Sequence, residues 1–234
     1  MDGRLRSRPA GSSARRRYGE ELRRVRRRRI RALAFAVVLG AVAAVGSSGH
    51  PHRAAVVVVA TGVALGVLWW SWPRRDPERW WRGAAGEEAT EALLDRLPGS
   101  RWTILHDLAL PGTRANVDHL VIGPTGVWVV DSKATRGAVT SGWGWVRLGR
   151  HALDVSATRW EAQVVADRLG CDVRALVVVH STGPVGLSRR GRRVAGVRVV
   201  PAGGLLRLLR RRRWRRAAVA GDLAGRLERL VAAG

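Results

Sequence analysis

Two apolar runs without an internal charge occupy the first third of the chain, residues 32–45, continuing through 46–49, and residues 54–72. Each is close to the roughly 20 residues that cross a bilayer, and neither carries the polar stripe of a helix lying on a membrane surface. The pattern therefore predicts two transmembrane helices. After residues 73–82 the periodicity changes to alternating helices and strands. Residues 87–97 read as a helix with Ala89, Leu93, Leu94 and Leu97 on one face, ended by Pro98 and Gly99. Residues 102–110, 117–122 and 127–130 read as strands, separated by Pro111-Gly112 and by Gly123-Pro124-Thr125-Gly126. A small hairpin strand is expected at 143–148, a helix at 157–169, and a buried central strand at 173–180, where the apolar run is nearly continuous. Residues 197–200 suit a further strand, and 205–214 and 217–231 suit terminal helices. This order of helix, three strands, helix and strand specifies an α/β fold in which a hairpin leads through a crossover helix to a parallel strand.

Charge sharpens the domain boundaries. The formal net charge is +24, yet residues 83–200 hold fifteen basic against eleven acidic side chains, so the excess lies mainly in the two ends. The expected organisation is a basic tail over 1–31, two transmembrane helices with a short external loop over 32–72, a linker over 73–82, an α/β domain over 83–200 and basic terminal helices over 201–234. Arginines crowd the entry to the first apolar run and follow the exit of the second at Arg74 and Arg75, behind Trp69, Trp70 and Trp72. By the positive-inside rule, both ends and the domain are expected in the cytoplasm of a multi-pass membrane protein. The basic leader suits anionic headgroups better than nucleic acid. Arg210 to Arg213 with Trp214 suit single-stranded nucleic acid and a lipid surface equally well. Cys171 is the sole cysteine, which excludes an internal disulfide and a cysteine-built zinc cluster.

The candidate chemistry lies on two adjacent strands. Side chains alternate along a strand, so Asp131 and Lys133 share a face. A tight turn with Pro124 and Thr125 at its tip would set Asp118 directly opposite Asp131, with Cβ atoms roughly 4.5–5.5 Å apart. Facing carboxylates destabilise a sheet unless something neutralises them, and a hard cation such as Mg²⁺ would do so. The alternative is that Asp118 ends its strand near solvent while Asp131 pairs with Lys133 or an arginine. Lys133 is the only lysine among 42 basic residues. A compact ammonium fits beside an attacking water or a phosphoryl oxygen in a way that a forked guanidinium does not. Alternation sends His119 to the opposite face, where it would pack. The Gly-x-Ser-x-Gly elbow, the phosphate-binding Gly-x-x-x-x-Gly-Lys loop and the His-Glu-x-x-His motif are all absent.

Three segments together resemble a known family: Gly83-Ala84-Ala85-Gly86-Glu87, Asn116-Val117-Asp118-His119-Leu120, and the run from Gly123 to Asp131-Ser132-Lys133. They are similar to the nuclease-related domain, NERD, itself related to the PD-(D/E)XK nuclease superfamily, over roughly residues 83–200. The resemblance implies a three-layer PD-(D/E)XK-like core. It also implies an active-site role for Glu87, metal ligation by Asp118, Asp131 and Glu87, and Lys133 as orienter of water or stabiliser of the transition state. Glu88 is the nearest rival to Glu87. Mg²⁺ or Mn²⁺ is the implied cofactor. The expected partners are membrane lipids, DNA or RNA, and a second copy of the chain. The leading expectation is a membrane-anchored nuclease; the alternatives are a non-catalytic nucleic-acid or protein binding module, or a membrane organiser.

Overall fold

The computed structural model describes residues 12–46, 53–71, 78–211 and 223–232. The chain divides into two units, residues 16–80 and residues 1–15 with 81–234.

Residues 16–80 hold most of α1 (Ser12–Gly46) and all of α2 (Arg53–Ser71). Arginine, alanine and leucine are all strong helix formers, so α1 runs unbroken through the expected boundary between tail and membrane segment at residue 31. The transmembrane expectation is overturned: among the described residues no helix is long and apolar enough to cross a membrane. In α1 the reason is length. Its first twenty residues carry the arginines, which leaves only Ala32 to Gly46 as an apolar stretch, short of the roughly 20 residues required. The connecting loop at 47–52, and the last residue of the second run, Trp72, lie outside the described residues. The expected multi-pass membrane location, and the cytoplasmic placement argued from it, do not stand.

The second unit is a mixed α/β domain, an architecture compatible with a nuclease-like core. Its main sheet has six strands: β1 (Thr103–Ala109), β2 (Asn116–Gly123), β3 (Gly126–Thr135), β7 (Val173–Ser181), β8 (Arg192–Val194) and β9 (Val197–Pro201). Their spatial order is β1-β2-β3-β7-β9-β8, with β1, β2 and β3 antiparallel, β7 parallel to both β3 and β9, and β8 antiparallel to β9. A small second sheet joins β4 (Val139–Gly142), β5 (Trp145–Leu148) and β6 (His151–Ala152).

Helices cover both faces. The helix α4 (Ser156–Leu169) is the crossover between β3 and β7, and it packs Ala162, Val165 and Leu169 with Val127 and Val129; Leu227 and Leu230 of α6 (Leu223–Ala232) join that cluster. On the other face, Leu94 of α3 (Glu78–Leu94) and Leu205 and Leu209 of α5 (Leu205–Leu209) pack with Val121, Trp128, Val130, Leu176 and Val178. Strand β3 is thus apolar on both faces, as a central strand must be.

The β2–β3 hairpin closes between Gly123 and Gly126, and its pairs run from Gly123↔Gly126 to His119↔Val130. Gly126 has φ +109°, a region that L side chains rarely adopt, which permits the tight turn. Trp128 Nε1 donates to Thr125 Oγ1 at 3.2 Å, tying the tip back onto the strand. This is the register in which Asp118 falls opposite Asp131. The helix expected at 87–97 begins nine residues earlier, because Gly83 to Gly86 lie within α3 and do not interrupt it.

Candidate active site

Ladder pairing between β2 and β3 stops at His119↔Val130, and one residue further on Asp118 takes over. Its Oδ2 accepts the Ser132 backbone N–H at 2.8 Å, so the carboxylate replaces the next rung of the sheet. Asp131 is held from two directions. Its Oδ1 accepts from Lys133 Nζ at 2.5 Å, and its Oδ2 accepts from Thr158 Oγ1 on α4 at 2.9 Å. Lys133, two residues on along β3, lies on the same face, as alternation requires.

The electrostatics follow from burial. Desolvation first, then repulsion from Asp131 and from Glu87, pushes the Asp118 carboxyl well above the usual carboxylate range, against the opposing effects of the Ser132 N–H and Lys133. For Lys133, burial works against the charge, but Asp131, Asp118 and Glu161 outweigh it and raise the ammonium above its ordinary value. Glu161 on α4 is pushed up to about 7 by burial and by Asp131, with Lys133 pulling the other way. Asp118, Asp131, Glu87 and Glu161 are thus electrostatically linked around one ammonium, with Asp131 buried and Asp118 and Glu161 half-buried.

Glu87 acts electrostatically on Asp118, whereas its rival Glu88 is ion-paired with Arg15. Gly86 explains how α3 comes this close. A Cβ at that position would meet the Ala134 Cβ at 3.0 Å, so the helix backbone rests directly on β3 beside Lys133. Gly83 has open space around its missing side chain, so no such constraint applies there.

Behind β3, on the opposite face, runs a buried polar chain. His106 Nδ1 lies 2.7 Å from His119 Nδ1, His119 Nε2 lies 3.3 Å from Ser132 Oγ, and Ser132 Oγ donates to Thr90 Oγ1 at 2.8 Å. Thr90 in turn donates to the Gly86 carbonyl at 3.0 Å and lies 2.8 Å from His180 Nε2. His119 thus faces away from the carboxylates.

Residues 82–180 match the nuclease-related domain family.

The match spans the acidic pair, Lys133, the crossover helix and all but the last residue of β7, and leaves both ends of the chain outside it. An uncharacterized protein of Bacillus anthracis is 35% identical over 60 residues, which is 24% of this chain and 28% of that protein. The chain therefore covers about a quarter of the relative's length. No solved structure matches.

Within the matched region, the fit to a divalent cation rests on the donor set. Asp118 and Asp131 offer hard oxygen ligands, and a carboxyl whose ionisation is suppressed by its neighbours is one that a cation would relieve. Among the described residues no group of three or more His, Cys, Asp or Glu side chains is arranged to hold a metal ion as it stands. Lys133 and Thr158 engage both oxygens of Asp131.

Thr158, Glu161 and Thr90 were not anticipated. Their signal was present in the helical period, since each is a polar residue on a stripe that otherwise faces the core: Thr158 and Glu161 with Ala162, Val165 and Leu169, and Thr90 with Gly86 and Leu94. A polar side chain on a core-facing stripe needs a partner, and here the partners lie on β3.

Proposed function

We propose that the matched domain is a divalent-metal-dependent phosphodiesterase acting on nucleic acid. The observation that carries this reading is the half-buried Asp118, raised in pKa by desolvation and then by Asp131 and Glu87, beside a lysine bonded to Asp131. Asp118 and Asp131, with Glu87, would hold Mg²⁺ or Mn²⁺. The ion when bound would supply an activated water and neutralise charge on the phosphoryl group. The chain's own residues supply the rest. Thr158 fixes the rotamer of Asp131, Ser132 N–H fixes Asp118, and Lys133 presents a compact cation toward the phosphoryl oxygens or the water. Glu161, poised near neutrality, is placed to hold a proton at the edge of the same cluster.

The test uses the full chain with end-labelled single- and double-stranded DNA and RNA, incubated with Mg²⁺, with Mn²⁺ or with chelator. Metal-dependent cleavage that is lost on Asp131→Asn is expected. Binding without cleavage under every metal condition would replace this reading with a nucleic-acid binding module.

A further inference from the structure

Strand β7 starts at Val173, but β9 pairs Arg198 with Leu176 and so begins only opposite Ala175. This offset leaves a notch in the sheet at the start of β7. A cavity of about 980 Å³ occupies it, walled by α4, the start of β7, the β8–β9 hairpin and the end of α5. Among the described residues five arginines line it: Arg159 from α4, Arg174 from β7, Arg193 and Arg198 from β8 and β9, and Arg211 just beyond α5. Among the described residues its lining contains no carboxylate.

Arginines gathered this way repel one another. Burial, then Arg193 and Arg211, lowers the pKa of Arg198, a cost that an anion would reverse. Beside the cations lie apolar walls, from Val173, Val197, Leu208 and Trp128, whose ring carries the Arg174 guanidinium at 5.0 Å from its centroid. The volume lies at the upper end of the ordinary range for small-molecule sites. Guanidinium forks suit phosphate oxygens bidentately, and apolar walls suit a flat organic body.

We infer that this notch is a second ligand site, which binds a polyphosphate of nucleotide size. It is separate from the acidic cluster. Trp128 precedes Asp131 by three residues, which is about 10 Å along the strand, and α4 turns Arg159 and Ala162 to the notch while its Thr158 bonds Asp131. The walls on several sides favour a compact polyanion over a nucleic-acid strand, which needs a groove open at both ends.

The experiment is calorimetric titration and thermal shift of the full chain with ATP and with inorganic tripolyphosphate, in chelator. Both should bind and raise the thermal midpoint. Tighter binding of ATP would assign the apolar walls to the base, and equal binding would assign the site to the phosphate chain alone. Arg198→Gln, or Arg193→Gln should the first variant fold poorly, should weaken both ligands about ten- to a hundredfold while leaving the unliganded midpoint unchanged or higher. Asp131→Asn should bind like the parent protein, which keeps this outcome distinct from that of the phosphodiesterase reading. The inference is overturned if neither ligand binds at millimolar concentration. It is equally overturned if both arginine variants bind undiminished, or if a single-stranded oligonucleotide binds while ATP and tripolyphosphate do not.

Discussion

At the scale of single residues, Lys133 and Asp118 carry opposite burdens. Lys133 is bonded to Asp131 at 2.5 Å, and its side chain keeps 41% exposure, so the ammonium is anchored yet accessible. Lys133→Arg preserves the charge but changes its hydration and donor geometry. Cleavage should fall about a hundredfold, the scale of one lost transition-state donor, with nucleic-acid affinity retained in a binding assay. Cleavage at the parent rate would show that the ammonium has no special part. Asp118 is a stability cost. Its folded pKa is raised above the unfolded value, so the folded state binds the proton more tightly, and stability falls as pH climbs past the ordinary carboxylate range. Glu161 behaves alike in the window between 4.5 and about 7. Asp118→Asn keeps an acceptor for the Ser132 N–H and removes the charge. In chelator at neutral pH its thermal midpoint should exceed that of the parent, with the gain vanishing near pH 4, and added Mg²⁺ should no longer stabilise it. A lower midpoint at neutral pH would mean that the carboxylate is structural.

At the scale of elements, the site depends on how closely α3 lies on β3. Gly86 sets that distance through Ala134, and Thr90, one turn later, bonds both the Gly86 carbonyl and the Ser132 hydroxyl. The helix that bears Glu87 is thus fastened behind the strand that bears Asp131 and Lys133. Gly86→Ala gains helix propensity but must displace a neighbour, and overpacking of this kind costs about 1–3 kcal/mol. The variant should lose cleavage through Glu87. Adding Ala134→Gly should restore it, because the two positions share one contact; no recovery in the double variant would mean that the contact does not control the site. The start of α3 was hidden in the sequence because two glycines three residues apart, Gly83 and Gly86, read as breakers, and only the packing against Ala134 shows why one is there. The β2–β3 register, by contrast, was legible, since a four-residue Gly-Pro-Thr-Gly tip leaves few ways to pair the flanking apolar residues. The contribution of α4 was not legible, because the partner of Thr158 and Glu161 lies across a crossover that periodicity alone does not orient.

At the scale of the whole molecule, the buried polar chain from His106 through His119, Ser132 and Thr90 to His180 crosses β1, β2, β3, α3 and β7. Burial, then His106 and His180, drives His119 down to about 3, and burial lowers His106 and His180 as well. These folded pKa values lie below the unfolded ones, so the contribution to stability is present above about pH 6.5 and is lost as pH falls toward 3. Acid titration followed by circular dichroism should show unfolding that begins below about pH 6, and His119→Gln should shift its onset to lower pH; an unchanged onset would remove this chain as the cause. The apolar runs at 32–45 and 54–72 were legible as helices and misleading as spans, because hydropathy does not reveal that α1 carries its arginines in the same rod. The parallel pairing of β3 with β7 has one further consequence. Val127 meets Val173 only after the second sheet and α4 have been threaded between them, whereas Gly123 meets Gly126 across a two-residue tip. Loop closure of such unequal length sets an order of assembly. The hairpin can bring Asp118 to Asp131 early in folding, while Thr158 arrives late, so the acidic pair must form before the group that steadies it.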